Sequence, residues 1–124
     1  MRKIILIGEL DDWTPSQPCN NLVNKLAMSN INVTVYKDSH HGFDRKGELE
    51  INENGYSFKD CMFDVNKDGD ILMNYLDIPM TNPFLQKIGF LFCVNRGVTI
   101  GGNKIARSKS FKFAKEFMQK TLFD

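Results

Sequence analysis

The sequence predicts an α/β chain made of a β-α-β unit, an inserted β-hairpin and a C-terminal helix. Three observations predict it. Residues 4–7 are short, apolar throughout and mostly β-branched, as in a parallel strand covered on both faces. Residues 31–36 set Ile31, Val33 and Val35 against Asn32, Thr34 and Tyr36, the alternation of a second strand. Between them, residues 18–29 carry Leu22, Val23, Leu26 and Ala27 at the spacing of one buried helical face, with Pro18 suited to the first turn. Strand, helix and strand of these lengths make a unit whose two strands lie parallel with a right-handed crossover.

The remaining elements follow in order. Residues 8–16 read as a loop, with Pro15 preventing continuation of the strand. After Asp44, residues 45–55 are polar and contain Gly47 and Gly55, which reads as a loop or excursion. Residues 56–65 and 70–76 read as two strands around Asn66-Lys67-Asp68-Gly69, a hairpin signal. Pro79 and Pro83 mark an irregular connection. Residues 84–94 are apolar, and periodicity leaves helix and strand both open there. Residues 97–102 read as loop, and Asn103 is an N-cap for a terminal amphipathic helix over 104–122. That helix repeats apolar residues at Ile105, Ala106, Phe113, Ala114, Phe117, Met118 and Leu122. No internal repeat or low-complexity segment interrupts the pattern.

Composition narrows the partners. A length of 124 residues is about one domain. Sixteen basic and fifteen acidic residues nearly cancel with no Lys/Arg run, so charge implies neither nucleic acid nor anionic membrane as a partner. Met1-Arg2-Lys3 and the four apolar residues after it have the order of a signal peptide. That apolar run is too short for one, and nothing approaches a membrane span, so a soluble, by default cytoplasmic, chain is expected. The three cysteines, Cys19, Cys61 and Cys93, have no CxxC or Cys/His metal spacing. They read as mostly buried free thiols, with a Cys61–Cys93 bridge in an oxidising compartment as the alternative.

Chemistry concentrates where the two leading strands end. Asp11 follows the first strand, and Ser39-His40-His41-Gly42-Phe43-Asp44 follows the second. Residues just past the C-termini of parallel strands gather on one sheet edge, so Asp11 and a histidine fall side by side. An acid that orients a histidine is the second half of a Ser/Cys-His-Asp triad. Asp11 is the acid and His41 the base. The bland readings are a loop carboxylate capping the following helix and a pair of surface histidines. Trp13 reads as packing over the Asp-bearing loop, with a place in the substrate pocket as the alternative.

Gly8-Glu9-Leu10-Asp11-Asp12-Trp13-Thr14-Pro15, then Cys19, then His41-Gly42-Phe43 with its preceding strand, resembles the dienelactone hydrolase family of α/β-hydrolases. Gly101-Gly102-Asn103 with Ala106 and the last helix resembles that family's C-terminal segment. The strong likeness covers residues 3–44, with weaker support over 97–123. The resemblance implies the C-terminal part of an α/β-hydrolase fold, with residues 45–96 as an insertion. It implies hydrolysis of a small ester or lactone through an acyl-enzyme, with no metal or organic cofactor. It also implies Asp11 as triad acid and His41 as triad base. The family's nucleophile sits in a Gly-x-[Cys/Ser]-x-Gly turn, and the sequence contains none: Gly55-Tyr56-Ser57-Phe58-Lys59 lacks the second glycine, and no cysteine is so flanked.

A C-terminal fragment is therefore expected, inactive alone. It is completed by a chain carrying the N-terminal half, or prone to self-association through unpaired strand edges. A non-catalytic gene remnant is one alternative. A small calcium-binding module is the other, since Asp64, Asn66, Asp68 and Asp70, with Gly69, fit the first positions of an EF-hand loop. Position twelve of that loop is Tyr75, where a bidentate Glu is needed, and a polar β-turn is the favoured reading.

Overall fold

Lys3–Gly8 (β1) and Ile31–Tyr36 (β2) lie side by side in parallel, in register from Lys3 against Ile31 to Gly8 against Tyr36. The computed structural model describes residues 2–26 and 30–122. The connection between the two strands is the helix Ser16–Leu26 (α1), which packs on both. The β-α-β unit thus forms as its pattern dictates. Its helix buries less than expected: Leu22 is exposed and Val23 half-buried, because a two-stranded sheet offers little surface to cover. The expected helical positions 27–29, Ala27 among them, lie outside the described residues.

Residues 45–55 form an excursion with a strand of its own, which corrects the loop reading. Glu50–Ser57 (β3) pairs antiparallel with Asn95–Ile100 (β6). The pairing is interrupted between Asn52 and Tyr56, where Asn54 N donates to Asn52 Oδ1 at 3.2 Å. Gly55 belongs there, since a Cβ on it would lie 2.5 Å from Val98 Cγ2. Residues 97–100, expected as loop, are likewise strand. Both misreadings share a cause: these strands are polar, glycine-bearing and held by a partner some 45 residues away in the chain.

Within the excursion, Phe63–Val65 (β4) and Ile71–Met73 (β5) form the expected hairpin, but shorter at both outer ends. Tyr56 and Ser57 belong to β3, and Leu76 lies in a turn at φ 58°. The undecided segment after Pro83 is the helix Pro83–Phe90 (α2). Asn82 caps it, its Oδ1 accepting from Phe84 N and Leu85 N, with Pro83 in the first helical position. Cys61 and Cys93 are joined in a disulfide, which corrects the free-thiol reading. The hairpin brings Cys61 under the end of α2, where the bridge packs with Met73, Tyr75, Ile78, Met80, Phe90 and Val94. Cys19 is free and half-buried.

The last helix, Lys104–Leu122 (α3), starts where expected: Asn103 Oδ1 accepts from Ile105 N and Ala106 N at 3.1 Å each. Ala106 completes a small cluster with Tyr36 and Phe43, against Leu6. Burial pushes the Tyr36 phenol above its ordinary pKa, so it sits there neutral. Of the rest of the apolar stripe, Phe113, Ala114 and Phe117 are half-buried and Ile105, Met118 and Leu122 are exposed. No helix among the described residues is long and apolar enough to cross a membrane.

The excursion leaves and returns at one place. His41 and Ile100 form a bridge, Gly101 N donates to His41 O at 3.1 Å, and Asn103 N donates to Phe43 O at 2.9 Å. Asp12 ties the excursion to the acid loop: Thr99 N donates to its Oδ1 at 2.9 Å, Thr99 Oγ1 to its Oδ2 at 2.9 Å, and Ser57 Oγ to its carbonyl at 2.8 Å. Replacing Asp12 by Ala is expected to cost about 2 kcal/mol, the worth of bonds to one charged acceptor. Urea denaturation reads that loss, and faster hydrogen exchange of the Thr99 amide locates it.

Candidate active site

Two loops meet beyond the ends of β1 and β2. Glu9 N donates to Tyr36 O and Leu10 N to Ser39 O, both at 2.9 Å, extending the strand pairing into the loops. Asp38 turns the second loop at φ 53°, with its N–H donating to Glu9 Oε2 at 3.0 Å. Gly8 makes the approach possible. A Cβ there would lie 2.3 Å from Ser39 O and 2.9 Å from His40 O, both backbone atoms that cannot step aside alone. Gly8→Ala is expected to force the loops apart, destabilising the chain by about 1–3 kcal/mol. The check is chemical denaturation together with the histidine NMR signals, which lose their wild-type positions as His41 leaves Asp11.

The close approach delivers Asp11 to His41. His41 Nδ1 lies 3.0 Å from Asp11 Oδ2, across thirty residues of sequence. Asp11 is buried, whereas the His41 side chain keeps 39% of its surface exposed. The carboxylate is held from both sides. Oδ1 accepts from Trp13 N at 3.0 Å and Thr14 N at 2.7 Å, and Oδ2 accepts from Thr14 Oγ1 at 2.9 Å. These bonds close a turn ahead of α1, so neither Asp11 nor Asp12 caps that helix. Trp13 packs against the histidine ring, tilted by 47° with ring centroids 4.8 Å apart. His40, by contrast, makes no such pair: its Nδ1 is buried without a hydrogen-bond partner among the described residues.

The pair opens into a cleft of about 420 Å³ lined by Leu6, Ile7, Phe43, Phe111 and Ala114 as well as by Asp11 and His41. Ser110 also lines it, but its hydroxyl donates to Arg107 O at 2.9 Å inside α3. No hydrogen bond reaches His41 Nε2 among the described residues. A buried carboxylate against one ring nitrogen, with no hydrogen bond on the other among the described residues, is an arrangement in which imidazole can take a proton from a nucleophile and return it to a leaving group.

No family model, curated protein or solved structure matches this chain. The site therefore rests on its own geometry.

The residues of the alternative calcium reading lie elsewhere. Asp64, Asn66, Asp68 and Asp70 sit on the β4–β5 hairpin, flanked by strands instead of the helices of an EF-hand. Asn66 Oδ1 is turned onto the amides of Asp68 and Asp70, at 2.9 and 2.8 Å, as in a polar turn. Tyr75, the twelfth position, directs its hydroxyl to Gly89 O. The described residues hold no group of three or more His, Cys, Asp or Glu side chains placed for a metal ion.

Two hydrogen-bond partners of Asp11 and Asp12 escaped the sequence reading. Thr14, bonded to both members of the pair, stands three residues after Asp11, the spacing of a side-chain-capped turn, and that spacing was a usable signal. Thr99, which holds Asp12 from 87 residues away, gave none.

Proposed function

We propose that this chain supplies the acid and base of an acyl hydrolase of the dienelactone hydrolase type, with the nucleophile outside these 124 residues. The observation that carries the reading is the 3.0 Å contact between His41 Nδ1 and the buried Asp11 carboxylate at the ends of neighbouring parallel strands. In this reading β1, α1, β2 and α3 belong to the C-terminal part of an α/β-hydrolase, and residues 45–96 are inserted between the histidine loop and the last helix.

The chemistry follows from the pair. A small ester or lactone is attacked by a Cys or Ser from the complementary half. His41 Nε2 takes the nucleophile's proton and passes it to the departing oxygen as the acyl-enzyme forms. His41 then activates water to release the acid, while Asp11 stabilises the imidazolium at both steps. No step requires a metal or organic cofactor, and the reading calls for neither nucleic acid nor membrane. The partner is a polypeptide carrying the Gly-x-[Cys/Ser]-x-Gly half. Among the described residues β1 pairs only with β2, so its second edge is available to that half, as is the apolar cleft beside the pair. Without the complement, the same surfaces favour self-association.

Hydrolysis of a nitrophenyl ester tests the proposal. The chain alone is expected to show no turnover above the buffer rate. Mixing it with the polypeptide encoded by the adjacent upstream reading frame is expected to produce turnover that His41→Ala removes. A folded mixture with no turnover sinks the proposal and leaves a non-catalytic remnant.

A further inference from the structure

The hydroxyl of Thr14 touches both members of the pair: it donates to Asp11 Oδ2 at 2.9 Å and lies 3.2 Å from His41 Nδ1. His41 Nδ1 is itself 3.0 Å from the same carboxylate oxygen. Three heavy atoms in mutual contact have few ways to share their protons. The carboxylate has none to give, and the hydroxyl has one. With the imidazole proton on Nδ1, His41 and Thr14 both donate to Oδ2, and the hydroxyl lone pair faces the Nδ1–H. With the proton on Nε2, the Nδ1 lone pair points at a carboxylate oxygen with nothing between them. Turning the Thr14 proton to Nδ1 then also strips its bond from Oδ2. Only the first arrangement puts a proton in each donor–acceptor contact with the carboxylate.

Thr14 also fixes the direction in which the carboxylate faces. Its amide holds Oδ1 at 2.7 Å while its hydroxyl holds Oδ2, so one residue grips both oxygens and sets the rotation of the carboxylate plane. Trp13 packs against the His41 ring, a contact that leaves the choice of tautomer open.

We infer that Thr14 is a positioning residue that acts through Asp11: by clamping the carboxylate it holds Oδ2 against His41 Nδ1, and so keeps the proton of neutral His41 on Nδ1 and the Nε2 lone pair free to act as a base. The inference deepens the proposed function, because a free Nε2 lone pair is what proton abstraction requires. Its test reads His41 directly and needs neither nucleophile nor substrate, so the two can fail separately.

The experiment is ¹⁵N NMR of the full chain with labelled histidine, at a pH where His41 is neutral. The wild-type protein is expected to show a protonated Nδ1 and an unprotonated Nε2. In Thr14→Val, which keeps the shape and the amide but loses the hydroxyl, Oδ2 is free to turn away from Nδ1, and the two ring-nitrogen signals are expected to move toward each other as the tautomers mix. Thr14→Ser restores the wild-type separation. Thr14→Ala repeats the hydroxyl deletion without a second branch on Cβ, and the Gly8 and Ser39 amide signals report whether the loops stay in place. Wild-type His41 found protonated on Nε2 overturns the inference outright. So does a Val or Ala variant with intact loops and unmoved ring-nitrogen signals, or a Ser variant that shifts as far as Val.

Discussion

In the protein completed by its nucleophile half, His41→Ala is expected to lower ester turnover on the order of 10⁶-fold, and Asp11→Asn on the order of 10⁴-fold. The two losses differ because the residues do different work. In the proposed mechanism His41 moves the proton, and the other side chain bonded to the pair among the described residues, the Thr14 hydroxyl, is not a general base. Asp11, clamped by Thr14, sets which nitrogen carries that proton. An asparagine there keeps the shape but can present its amide N–H to Nδ1, which drives the imidazole proton to Nε2 and blocks the base. The turn around Asp11 keeps one acceptor oxygen for the Trp13 and Thr14 amides, so Asp11→Asn is expected to fold normally. Initial rates on a nitrophenyl ester, with thermal melts of each variant alongside, check both numbers.

Reducing the Cys61–Cys93 bridge is expected to be the largest change in stability. The bond closes a loop over a sequence separation of 32 residues, and loop-closure entropy assigns it about 3–4 kcal/mol. The module it closes has little else to rely on. Its buried residues are few, with Met73 fully inside, while Phe63, Phe84, Leu91 and Phe92 remain exposed. Cys93→Ser, or dithiothreitol on the parent chain, should therefore unfold the hairpin and α2 at lower denaturant. Hydrogen exchange should rise across residues 58–94, while the β1–β2 amides keep their protection. Unchanged exchange across the module after reduction shows that its packing alone suffices.

The β-α-β unit and the last helix were legible because local pattern specifies them. The β-branched run before Gly8, the alternation from Ile31 to Tyr36 and the Asn103 cap each act within a few residues of their own position. The Asp11–His41 pair was legible for a related reason. Parallel strands deliver their C-terminal residues to one edge, so two strand ends were enough to bring acid and base together. The β3–β6 sheet was hidden because its pairing is long-range: Asn52, Asn54 and Gly55 have no strand alternation, and Gly97 at φ 86° looks like a turn. The disulfide was left open because the separation of Cys61 and Cys93 becomes a short distance only once the hairpin folds under α2. The open face of α3 went unread for the opposite reason. Helical periodicity predicts which side is apolar, and says nothing about whether a neighbour is present to cover it.

The most direct measurement is a double-variant comparison in the completed protein, with turnover measured for Asp11→Asn, His41→Ala and the two combined. Asp11 works only through His41 if the two form one relay, so the double variant should be no slower than His41→Ala alone. Losses that multiply in the double variant, or turnover that survives either single change, contradict a shared role for the pair at the ends of β1 and β2.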